Sequence, residues 1–100
     1  MTDNVYSIGQ LKTLLTPVFF RNGVKKAVVF GSYGKGSASP KSDIDLFVDS
    51  GLQGFAFFGL LDDVIQAVGK NVDLIDVTDV RHGSRIANEI DESGILIYEK

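Results

Sequence analysis

The stretch GSYGKGSASPKSDIDLFVD, residues 31–49, decides how this chain reads. Its first half is dense in glycine and serine, residues that favour turns. Its second half opens on two aspartates, although strands usually avoid aspartate. Ile44 and Leu46 alternate with Asp43 and Asp45, which is the period of a strand with one buried face. In that geometry the two carboxylates project to the same side, about 6.6 Å apart along the backbone. Like charges so placed repel and raise each other's pKa.

Outward from this stretch, 25–30 (KKAVVF) reads as a short buried strand. Residues 31–42 read as a Gly/Ser loop with room for one helical turn. The connection is short enough for the two flanking strands to pair antiparallel. Ser7 is placed to cap a helix with Ile8, Leu11, Leu14, Leu15, Val18 and Phe19 on one face. Pro17 interrupts that pattern, and Thr16-Pro17 also reads as a cap and first turn, so two short helices are an option. Downstream, 54–68 is helical, with Phe57, Phe58, Leu61, Val64, Ile65 and Val68 on the apolar face. Phe55 falls outside the stripe, and Leu60 falls at a core edge or an interface. A strand at 72–77, a helix at 84–93 closed by Gly94 and a strand at 95–99 complete the pattern. The expected fold class is α+β, a small mixed β-sheet with helices packed on it, in one domain spanning 1–100.

The bulk composition agrees with a globular protein: 44% of residues are apolar and 23% charged. There is no cysteine, which excludes disulfides and thiolate metal sites. A net charge of −3 argues against autonomous nucleic-acid binding, which needs a basic surface. No apolar run is long enough to span a bilayer, and the first residues lack the pattern of a secretory leader. A cytoplasmic location is the expectation.

The carboxylate pair has a chemical use. Oxygen donors suit Mg²⁺, which keeps several waters and bridges to phosphates. Asp73 lies in a further strand between Val72 and Leu74; beside the second strand it makes a third carboxylate. Asp76 faces the other way and lies nearer the strand's end, so replacing it by Asn is expected to do little. Gly31 follows a buried strand, where its missing side chain lets the backbone approach a ligand. Ser32 offers a hydroxyl, and Lys35 a positive charge. Alone, an Asp-x-Asp is also a solvated strand end and a Gly-Ser pair a plain turn. GSYGKGS does not have the spacing of a Walker A loop. Arg81, His82 and Arg85 read as solvated residues near a helix start, and Tyr33 as either a stacking residue or a cover for the loop.

The combination Gly31-Ser32, ten residues, then Asp43-Ile44-Asp45 in a strand resembles the signature of the DNA polymerase beta-type nucleotidyltransferases. The short length and VDLIDV resemble the minimal nucleotidyltransferase (MNT) group, and the similarity runs from the first helix to ILIYEK. Many relatives carry Ala and Arg where this chain has Gly34 and Lys35. The resemblance implies a nucleotidyltransferase fold in which Asp43, Asp45 and Asp73 are catalytic and hold two Mg²⁺ ions, with Mn²⁺ as a substitute. It implies that Gly31 and Ser32, with Lys35 and Ser42 beside them, bind the triphosphate. It also implies AMP transfer from ATP to a tyrosine hydroxyl of a HEPN-type partner protein, with this chain as antitoxin. Two other readings stay open: neutralisation of a partner by contact alone, and nucleotidyl transfer to a small molecule.

Overall fold

The computed structural model describes residues 4–100, so the part of the leader reading that rests on 1–3 lies outside the described residues. Helix α1 (Ile8–Arg21) is followed by strand β1 (Lys26–Phe30), a five-residue helix α2 (Gly31–Lys35) and strand β2 (Ile44–Asp49). Helix α3 (Phe55–Val68), strand β3 (Val72–Asp76), a 3₁₀ turn at Val77–Asp79, helix α4 (Arg85–Ser93) and strand β4 (Ile95–Glu99) complete the chain. The sheet is mixed, in the order β3-β2-β1-β4. β1 pairs antiparallel with β2 and β4, while β2 and β3 run parallel across the α3 connection. The α+β expectation holds.

Alternation on the strands sorts the two faces. Ala27 and Val29 of β1, Ile44, Leu46 and Val48 of β2 and Ile97 of β4 form a core with Leu11, Leu15, Val18 and Phe19 of α1 and Leu60, Val64 and Val68 of α3. The opposite face carries Phe30 and Asp45, cross-strand partners in the β1–β2 register. Helices α2 and α4 both pack against β1.

Two helical expectations need correction. Helix α1 is continuous through Pro17. Its N-terminus is a reciprocal box: Ser7 Oγ accepts from the Gln10 N–H at 3.0 Å, and Gln10 Oε1 accepts from the Ser7 N–H at 2.8 Å. Pro17 lies on the exposed side, where the carbonyl it leaves without a donor meets water, while Val18 and Phe19 anchor the last turn in the core. On α3 the buried stripe runs through Leu60, Val64 and Val68, and Phe58 is 64% exposed. Apolar residues surround nearly the whole first half of α3, so periodicity could not select the face. Packing against α1 did. Phe55 stands out at 94% exposure.

No helix among the described residues is long and apolar enough to cross a membrane.

Candidate active site

The sheet register assembles the carboxylates. Asp45 lies opposite Asp73 in the parallel β2–β3 pair, so both side chains leave the same face. Asp43 immediately precedes β2 and shares their parity. Asp43 and Asp73 are exposed, and Asp45 is half-buried. Burial, followed by the negative charges of Asp73, Asp43 and Glu89, pushes the Asp45 carboxyl up to about 6. Glu89, on α4, is a neighbour that the sequence reading missed. Among the described residues no three carboxylate or imidazole groups are drawn together as a finished metal cage. The donor set nevertheless fits a hard divalent cation: all its ligating atoms are carboxylate oxygens, and Asp45 sits in uncompensated negative charge.

The glycine-serine segment is built against this group. Gly31 has φ +67°, the left-handed region that glycine tolerates. A Cβ placed on Gly31 would overlap the Asp45 carboxylate, so the carboxylate packs directly against the glycine's backbone. The Gly31 N–H donates to Ser93 Oγ at 3.0 Å, and that hydroxyl donates to the Glu89 carbonyl at 2.8 Å. The Gly31 N–H is therefore committed within the fold, and Gly31 serves the site by its missing side chain. Ser32, half-buried, opens the first turn of α2, where N–H groups have no helical partner. Lys35 is exposed at the other end of α2 and forms no ion pair among the described residues. Ser42 lies immediately before Asp43, but its hydroxyl already accepts from the Ser39 N–H at 2.9 Å, closing the turn 39–42.

Three further residues take clear places. Tyr33 is buried in the main core, where burial raises its pKa against the lowering effect of a backbone interaction at Tyr6. Asp76 is buried on the core side of β3. Its carboxylate accepts from the N–H and Oγ of Ser50 and from the N–H and Oγ1 of Thr78. Burial alone would raise its pKa, but these bonds hold it below the ordinary value. Asp76 thus ties β3 to the chain leaving β2, a structural role that the sequence reading did not give it. Arg81 and His82 are exposed before α4, as expected. Arg85, with its side chain 91% exposed, reaches Glu89 at 3.7 Å.

Gly34 explains one departure from the family pattern. A Cβ there would overlap the Ser93 carbonyl, because the end of α4 lies directly on α2. Gly34→Ala is expected to cost about 1–3 kcal/mol through overpacking, measured as a lowered urea midpoint. An unchanged midpoint would show that the two helices part freely.

The profile of the family described as "Polymerase beta, Nucleotidyltransferase" matches residues 14–100. The protein of Methanocaldococcus jannaschii named "Putative protein adenylyltransferase MJ0435" is 31% identical over 88 residues, covering 83% of this chain and 94% of that protein. A solved toxin–antitoxin complex with AMP-PNP matches with TM-score 0.74 at 22% identity, over 89% of this chain and 73% of that one. A complex of a tri-AMPylated Shewanella oneidensis HEPN toxin with MNT antitoxin matches with TM-score 0.69 at 18% identity, over 93% and 73% of the two chains. At these identities the structural likeness is one of fold.

Proposed function

The chain belongs to the polymerase beta nucleotidyltransferase family and is a nucleotidyltransferase; from that premise we propose that it moves AMP from ATP to a hydroxyl of a partner protein, a HEPN-type toxin, breaking the bond between the α- and β-phosphates and releasing pyrophosphate, and so acts as an antitoxin in the cytoplasm. The observation that carries this reading is the in-register pair Asp45–Asp73, with the Asp45 carboxylate packed on the backbone of Gly31. A protein named as an adenylyltransferase supports the reaction, and the toxin–antitoxin complexes of like fold support the kind of partner.

Asp43, Asp45 and Asp73 would hold Mg²⁺, or Mn²⁺ in its place. Bound there, the metal supplies charge neutralisation on the triphosphate and acidity to the attacking hydroxyl. The chain's own residues do the rest. Ser32 and the first turn of α2 offer donors to phosphate oxygens. Gly31, lacking a side chain, gives the Asp45 carboxylate room against the backbone at the start of the glycine-serine segment. Asp73 stands at the sheet edge, where an acceptor hydroxyl can reach it from outside, and takes up that hydroxyl's proton.

Radiolabel from α-labelled ATP should appear on the partner protein only when this chain and Mg²⁺ are both present. Label on nucleotide products alone would refute a protein acceptor. Calorimetric titration is expected to show ATP binding in Mg²⁺ at least about tenfold tighter than in EDTA, because bare carboxylates repel a polyanion. Equal binding in the two buffers would remove the metal from the site.

A further inference from the structure

Lys70 is a buried cation that the reaction chemistry leaves unused. It is 3% exposed, although its neighbour Asn71 is exposed. Helix α3 ends at Gly69 in the left-handed conformation, and the chain then turns Lys70 inward ahead of β3. The ammonium donates to the Pro40 carbonyl at 2.8 Å. Pro40 lies within the loop 36–43, whose composition (GSASPKSD) offers little apolar surface to hold it. Inside the loop Ala38 packs against the core, and the hydrogen bonds are local: the Ser42 N–H donates to the Ser39 carbonyl, and the Ser37 N–H donates to the Ser32 carbonyl. The Lys70 bond differs in kind, because it comes from a different element, thirty positions away in the chain.

Its placement is specific. Pro40 stands three residues before Asp43, and Lys70 three residues before Asp73. The Lys70 bond thus adds a side-chain tie to the two segments that deliver carboxylates to the site, which the Ile44 N–H also joins by donating to the Asn71 carbonyl at 3.1 Å. At the other end of the same glycine-serine segment, Ser93 holds the Gly31 N–H. Both anchors are buried polar side chains. Between them the loop is fixed before any ligand arrives, so nucleotide binding need not supply the ordering free energy of those residues.

We propose that Lys70 is a positioning residue that clamps the glycine-serine loop to the start of β3 and so preorganises the triphosphate subsite. The proposal rests on the nucleotide-binding reading above and deepens it. A burial site for an aliphatic chain alone would be served equally by methionine, whereas a clamp needs the donor.

The experiment uses the full chain and two readouts. The first is tryptic cutting at Lys41, inside the loop, on the folded protein. The second is calorimetric affinity for ATP in Mg²⁺. Lys70→Met is expected to speed cutting at Lys41 about tenfold and weaken ATP binding about tenfold, the lower end for a lost hydrogen bond to a charged group. Lys70→Arg, which keeps charge and donors, is expected to stay within about threefold of the wild type in both. If Lys70→Met does not fold, Lys70→Leu, which also lacks a donor, gives the same readings in the same direction. A folded Met or Leu variant with wild-type cutting at Lys41 would overturn the clamp. Faster cutting with unchanged ATP affinity would overturn its role in the subsite. Wild-type protein that fails to bind ATP in Mg²⁺ would overturn the nucleotide reading and the subsite role with it, and the tryptic readout would still decide the clamp.

Discussion

Asp45→Asn is expected to slow nucleotidyl transfer by roughly 10²–10⁴-fold while making the ligand-free protein more stable at neutral pH. The two effects share one cause. Burial and the charges of Asp73, Asp43 and Glu89 raise the Asp45 carboxyl from 3.8 to about 6, so the ionised form is disfavoured in the folded state. Between those two values the folded chain holds more protons than the unfolded chain. Stability from this group is therefore full below about 4, is lost as pH rises through about 6, and stays lost above it. Asparagine removes the penalty. The expected gain is about 1–2 kcal/mol at pH 7.5, after discounting for the solvent that reaches a half-buried group. Below about pH 4 the gain vanishes, because aspartic acid is then neutral in both states. Thermal melts at pH 7.5 and pH 4, with a transfer assay, test both halves. A variant that loses stability at pH 7.5 would show that Asp45 is a structural group. One that keeps full transfer would show that the reaction lies elsewhere.

Asp76→Asn is expected to be the most damaging of the aspartate substitutions for the fold, at about 2–4 kcal/mol. The carboxylate accepts four hydrogen bonds from Ser50 and Thr78, two of them from backbone N–H groups. An amide turns one of its ends into a donor, so a buried N–H faces an N–H and loses its partner. The pH dependence has the opposite sign from Asp45. A folded-state pKa below the ordinary value means that the stabilisation is present above the unfolded value of 3.8. It is lost as pH falls through the folded value. The difference between wild type and variant should thus be constant near neutrality and close in acid. Urea unfolding at pH 7 and pH 3 measures it. A variant as stable as the wild type at pH 7 would mean that the Ser50 and Thr78 donors find other acceptors.

These two aspartates also show how far a sequence can be read. The strand at 44–49, the glycine-serine turn before it and the final helix and strand were all legible, because each depends on local spacing, on caps such as Ser84 and on the alternation of side chains. The Asp-x-Asp pair was legible for the same reason: period 2 alone puts both carboxylates on one side. The face of α3 was not legible, since apolar residues cover most of its first half and only α1 decides which ones are buried. Asp76 read as a bystander because its partners, Ser50 and Thr78, lie on different segments. Ser93, Glu89 and Lys70 carried no signal at all. A serine before glycine, a glutamate on a polar helix and a lysine after a helix end are ordinary residues in sequence. By itself the sequence determined the elements, the antiparallel hairpin and the family signature, all set by interactions within a few residues. Only the tertiary structure decided that β3 lies parallel to β2 with Asp73 level with Asp45. Only it placed α4 close enough to require Gly34, and turned Lys70 inward to the Pro40 carbonyl, because these depend on long-range packing and hydrogen bonds between distant segments.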